Sequence, residues 1–264
     1  MTELRRPVNL LICRVCIILA LAGVCLAAPA RAQPLRVAAA SDLQFAMPAL
    51  AAQFEKDTGR TLSVTFGSSG NFFTQLQNGA PFDVFLSADV NYPRQLETAG
   101  LVDKGSVRIY ATGRIVLWAR TGRTLDVARG LSVLADSAVG RVAIANPAHA
   151  PYGRAAVAAL EHAGVYGAVR SKLVFGENVS QTAQFAQTGN ADAAVVALSL
   201  ALAPAMKEQG RYYDIPQDFY PPIEQGAAVM RSSGQKALAD RFVAFLAQPA
   251  AVAILESYGF GVRK

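Results

Sequence analysis

Four short stretches of the chain place hydroxyl, amide or glycine groups where a helix begins. The sharpest is TFGSSGNF, Thr65 to Phe72, in which Ser68 and Ser69 stand between two glycines directly after an apolar run. AAASDLQ puts Ser41 ahead of Gln44 at capping-box spacing, NPAHAPYGRAAV puts Tyr152 and Gly153 just after Pro151, and FGENVSQTAQ puts Asn178 ahead of Val179 and Gln181. Glycine lets the backbone approach a ligand closely. The first turn of a helix offers unpaired N–H groups and a partial positive charge. Starts of this kind bind anions when they converge on one point. When they do not, Ser41 and Ser69 are ordinary caps, each contributing about 1 kcal/mol. The GSSG stretch therefore admits a serine nucleophile, a phosphate cradle or a cup for another anion.

Other chemistry is poorly supported. GSSG is not the Gly-x-Ser-x-Gly elbow of a serine hydrolase, and the sequence places neither His149 nor His162 as a base for Ser69. Neither histidine has a cysteine or carboxylate at ligand spacing, so no metal-cation site is expected. Asp83 interrupts a buried strand and Asp89 precedes a helix, which suits structural roles. Ser233-x-x-Lys236 has a penicillin-recognising spacing, but Gly234 and Gln235 beside it read as a surface turn.

The elements that would position these loops alternate along the chain. LRVAAA, TLSVTF, FDVFLSA, RVAIAN, SKLVFG, ADAAVVAL and IEQGAAVM read as strands, and VRIYATGRIVLWA as a strand pair broken at Thr112-Gly113. Between them lie helical patterns, including SDLQFAMPALAAQFEKDTG, NFFTQLQNGA, YPRQLETAG, GRAAVAALEHAG and VSQTAQFAQTG, and the chain ends on KALADRFVAFLAQPAAVAILESYG. Near-continuous apolar strands joined through helices predict an α/β fold of mostly parallel sheets covered by helices. Such sheets bind ligands beyond the carboxyl ends of their strands, where the four loops fall. No internal repeat or proline-rich linker is visible, so a domain boundary is expected at strand crossovers.

The N-terminus reads as an export signal. MTELRRPVNLLICR is basic, and VCIILALAGVCLA is apolar but shorter than the roughly 20 residues of a membrane span. Ala30-Arg31-Ala32 supplies a small-x-small cleavage pattern, so residues 1–32 are expected to be removed and the mature chain to begin at Gln33. All three cysteines lie in that segment, which leaves no disulfide framework. Its four arginines and one glutamate carry +3 of the formal +6, leaving +3 on the mature chain. The remaining basic residues are scattered, unlike a nucleic-acid footprint. About 230 residues suit one domain or two lobes.

AAASDL, FGSSGNF, GAPFDVFLSAD, NPAHAPYGRAAVAAL, GENVSQ and the closing YGF, in this order over nearly the whole mature chain, resemble the periplasmic molybdate-binding proteins of ABC importers. The resemblance implies the two-lobed type II periplasmic-binding fold, with crossovers near Thr112–Arg114 and Glu224–Gly226. Lobe 1 would comprise residues 33–113 and 226–264, and lobe 2 residues 114–225. It implies oxyanion ligands at Ser41, Ser69, the backbone of Tyr152 and of Val179, and the backbone N–H of Asp42. Some members carry a tyrosine donor in the strand after the GENVSQ helix, where this chain has Ala197.

A cup of neutral donors suits molybdate or tungstate, which are tetrahedral dianions that only accept hydrogen bonds. A proton on hydrogen phosphate would meet another donor and lie unpaired, at a cost of about 1–3 kcal/mol. The resemblance thus implies a monomeric periplasmic protein that captures molybdate, and by likeness tungstate, for an inner-membrane ABC permease. It would use no cofactor and catalyse nothing. Sulfate or phosphate binding, and a secreted serine hydrolase using Ser69, are the alternatives.

Overall fold

The computed structural model describes residues 33–122 and 125–262, so the expected signal peptide lies outside the described residues. Ten strands form two five-stranded sheets. The first contains β1 (Leu35–Ala40), β2 (Leu62–Gly67), β3 (Val84–Ser87), β4 (Arg108–Gly113) and β10 (Ile223–Val229), in the order β2-β1-β3-β10-β4. The second contains β5 (Ile115–Arg120), β6 (Val142–Ala145), β7 (Leu173–Gly176), β8 (Ala193–Ala197) and β9 (Gly210–Asp214), in the order β7-β6-β8-β5-β9. In each sheet the first three strands are parallel, and the fourth runs antiparallel to both neighbours.

The two lobes therefore share one topology: β1, β2 and β3 correspond to β6, β7 and β8, and β10 occupies in one sheet the place of β5 in the other. Small buried residues make this possible. VAIA in β6 and AAVVA in β8 are buried throughout, so helices can lie on both faces. The principal helices are α1 (Met47–Thr58), α2 (Ser69–Gln77), α3 (Asn91–Thr98), α4 (Pro151–His162), α5 (Val179–Gln187), α6 (Lys236–Phe245) and α7 (Pro249–Ser257). The C-terminal run expected to be helical divides where Pro249 starts a new helix. Both halves pack on the first lobe, with Phe242 edge-on to Phe54 at 5.0 Å.

Only Arg114 separates β4 from β5, and the first passage between sheets lies there. The second lies between Asp214 and Ile223, in a segment carrying Pro216, Pro221 and Pro222 that cannot join a ladder. Glu224–Gly226, expected as this crossover, lies inside β10, whose pairing with β4 shifts register between Gln225 and Gly226. The sequence reading missed β9, a half-exposed edge strand of five residues without a clean alternation.

Candidate anion-binding site

The shared topology brings the four helix starts together. Ala40 pairs with Gly67 at the ends of β1 and β2, and Ala145 pairs with Gly176 at the ends of β6 and β7. The loops that follow leave each sheet side by side, two per lobe, and face each other across the cleft. Between them lies a small, tight cavity with ≈ 200 Å³ of space between atoms, part of it open to solvent. Ser41, Asp42, Ser69, Tyr152 and Val179 all line it, together with Ser68 and Asn178. No lysine, arginine or histidine among the described residues does so. A larger groove of ≈ 790 Å³ runs past Asp89, Arg94 and Arg154, but Arg154 there is paired with Asp89 at 2.5 Å and stacked over Tyr92.

Ser69 is the first residue of α2, and the cap is Ser68, whose Oγ accepts from the Asn71 amide. Ser69 Oγ, fully buried, accepts from the Ala88 amide at 2.9 Å. Ser41 does not cap a helix as expected. It opens a 3-10 turn, Ser41–Leu43, and the α-helix starts only at Met47. Pro48 imposes that start, because proline has no N–H and its ring clashes with the carbonyl four residues back. Freed from capping, Ser41 Oγ accepts from the Ser180 amide at 3.4 Å, and Gln44 accepts from the Ser180 hydroxyl, both across the cleft. A hydroxyl has one proton and two lone pairs. At Ser41 and Ser69 a backbone amide occupies a lone pair, and neither proton is given to another described group. Both protons can turn toward the cavity.

Tyr152 and Val179 stand in the first turns of α4 and α5, where N–H groups have no carbonyl one turn back. Asn178 caps α5 as expected, accepting from the amides of Ser180 and Gln181. Gly153 seats α4 against β6, since a Cβ there would lie 2.0 Å from the Ala145 oxygen.

The Asp42 side chain is the main surprise. It is fully buried, and its Oδ2 accepts from the Tyr152 hydroxyl at 2.8 Å and from the Gln225 amide. Gln225 in turn accepts from the Tyr110 hydroxyl at 2.6 Å. A Cβ at Gly113 would meet the Tyr152 oxygen at 2.2 Å, so a glycine at the first crossover makes room for the phenol. The Tyr152 proton is thus already given to Asp42, and the phenol does not replace the tyrosine donor absent at Ala197. Sequence reasoning missed Gln225, Tyr110 and Gly113. The one available signal was a glutamine inside the largely apolar strand β10, where it is fully buried.

Burial pushes the Asp42 carboxyl up to about 6, against the opposing pull of Gln225, Tyr152 and the amides of Asp42 and Leu43. Burial and then the Asp42 charge push the Tyr152 phenol well above its ordinary value. The raised carboxyl favours the folded state fully only below the unfolded value of about 3.8, and that contribution is lost as pH rises through about 6. Asp42→Asn, which is neutral at every pH, should therefore gain stability relative to wild type as pH rises from 4 to 7. The gap should widen by up to about 3 kcal/mol. Denaturant unfolding of both proteins, free of ligand, across this range checks it, and a pH-independent gap would contradict the assigned burial.

The lobes meet beyond the cavity as well. The Gly70 amide donates to the His149 oxygen at 2.9 Å, Ser68 Oγ lies 2.9 Å from His149 Nδ1, and the Ser199 hydroxyl donates to the Asp42 carbonyl at 2.7 Å. His149 thus faces the capping Ser68 and not Ser69. Asp83 accepts from Arg36 and from the Ser233 hydroxyl, whereas Lys236 pairs with Asp103, which separates the two members of the penicillin-type spacing.

Comparison with known proteins agrees with this architecture. Residues 35–261 match the family model described as bacterial extracellular solute-binding protein. The molybdate-binding protein ModA of Azotobacter vinelandii is 40% identical over 248 residues, covering 94% of this chain and 97% of that protein. ModA of Rhodobacter capsulatus is 39% identical over 235 residues, covering 89% and 91%. The solved Azotobacter vinelandii periplasmic molybdate-binding protein superposes with a TM-score of 0.81 at 35% identity, covering 87% of this chain and all of that one. With two βα-built lobes joined by crossover strands and a buried cup between them, the chain belongs to the bacterial extracellular solute-binding protein family and has the type II periplasmic-binding fold.

Proposed function

We propose that the protein captures molybdate in the periplasm and delivers it to an ABC permease of the inner membrane, acting as a binding protein and not as a catalyst. The observation that carries this reading is the convergence of neutral donors from both lobes on one buried cavity. The donors assigned to the anion are the Ser41 and Ser69 hydroxyls and the backbone N–H groups of Asp42, Tyr152 and Val179. Every one can donate, and a molybdate oxygen can only accept. The names carried by relatives of about 40% identity support the same ligand. Tungstate, of the same shape and charge, should bind alongside it, and a monomer suffices because both halves of the cup lie in one chain.

Titration calorimetry on ligand-stripped protein against molybdate, tungstate, sulfate and phosphate tests this reading. Molybdate and tungstate are expected to bind at one site per chain, with sulfate weaker and phosphate weakest. Phosphate binding that Asp42→Asn abolishes would overturn the assignment, because Asp42 would then be accepting the phosphate proton. Turnover of an acyl ester that Ser69→Ala removes would favour a hydrolase instead.

A further inference from the structure

Asp42 is among the residues that line the cavity read above as the seat of a dianion, and no lysine, arginine or histidine among the described residues lines it. Asp42 is wholly buried; its Oδ2 takes the Tyr152 and Gln225 hydrogen bonds, and Oδ1, near only the amides of Asp42 and Leu43 in its own turn, has no side-chain partner among the described residues. The titratable groups that face it are Tyr152 from α4 and Tyr110 from β4, both held neutral by burial. Gln225 of β10 faces it uncharged, and α5 and the Leu198–Ala201 turn meet the Ser41–Leu43 turn through Ser180 and Ser199. A buried like charge disfavours the ionised form of its neighbour, and a dianion does so more strongly than any group present in the empty site.

We propose that Asp42 takes up one proton from solvent, on Oδ1, each time a tetrahedral dianion enters the cavity, so that the protein binds the anion and a proton together. The step forms one O–H bond and changes the summed charge of Asp42 and ligand from −3 to −2. Without the anion, Asp42 gives up its proton near pH 6, so at neutral pH and above the empty site is ionised and the filled one is not. Affinity for the dianion then rises as pH falls. This inference rests on the oxyanion reading of the cavity and adds to it a proton that the neutral donors do not supply.

The test is titration calorimetry with sodium molybdate at pH 7.5 in two buffers of different ionisation enthalpy. The proposal expects uptake of close to one proton per anion by wild type, and affinity falling about tenfold per pH unit between pH 7 and 8.5. Asp42→Asn should bind with neither effect. Uptake that persists in Asp42→Asn would assign the proton elsewhere and would overturn the proposal. Tyr152→Phe provides a second variant: it removes a donor that stabilises the ionised carboxylate, so its uptake at pH 7 should be smaller than that of wild type. An unchanged value there would also count against Asp42. Molybdate binding with buffer-independent heat overturns the proposal alone, whereas no binding of molybdate, tungstate or sulfate overturns the oxyanion reading and the proposal with it.

Discussion

Gly70→Ala is expected to weaken molybdate binding by about 100-fold without destabilising the ligand-free protein. Gly70 lies in the first turn of α2, where alanine is a better helix former than glycine. A Cβ there, however, would lie 2.6 Å from the His149 carbonyl oxygen and 2.9 Å from His149 Cα, across the cleft. The obstacle is backbone, so no side-chain rotation relieves it. The lobes would have to stand apart and give up the Gly70 to His149 hydrogen bond. Donors from one lobe would then no longer reach an anion held by the other, and a shift of about 3 kcal/mol against the closed state accounts for the expected loss. Calorimetry gives the affinity, thermal melting the stability, and solution scattering the closure. Wild type should show a smaller radius of gyration with ligand, and the variant little change. Wild-type affinity in Gly70→Ala would show that binding does not need this seam.

Ser69→Ala should cost between about 10-fold and 100-fold in affinity. The Ser69 hydroxyl is fully buried, and its lone pair is engaged by the Ala88 amide at 2.9 Å. Alanine removes the donor assigned to the anion and strands the Ala88 N–H, a combined loss of roughly 1.5–3 kcal/mol for a charge-assisted contact. Tyr152→Phe is the contrasting case. Its hydroxyl serves Asp42 and its assigned contact with the anion is the amide, so the loss should stay under about 1 kcal/mol near neutral pH. Titrating both variants with molybdate compares them directly. A larger loss in Tyr152→Phe would make the phenol an anion donor, and no loss in either would reduce the serine loop to helix capping.

The loops were legible because their signals are local. GSSG after an apolar strand, Asn178 ahead of α5 and Pro151 at the head of α4 each declare a helix start within a few residues. Apolar runs such as VAIA declare buried strands in the same way, and βα alternation carries the fold class. The wiring between loops was not legible. Gln225 meets Asp42 across 183 positions, and Tyr110 meets Gln225 across 115. Nothing in the neighbourhood of Asp42 marks its carboxylate as buried. The capping-box spacing of Ser41 and Gln44 was misleading for a physical reason: Pro48 delays the helix, and both side chains turn to Ser180 instead. A pattern that reads as a cap in one lobe is part of the seam with the other.

Diffraction from crystals grown with molybdate, collected at the molybdenum absorption edge, tests the central claim most directly. The anomalous map should show one strong molybdenum peak per chain in the cavity between the two lobes, within hydrogen-bonding reach, through its oxygens, of the Ser41 and Ser69 hydroxyls and the Tyr152 and Val179 amides. A peak in the groove beside Arg94 and Arg154 instead, or an empty cavity at saturating molybdate, would contradict it.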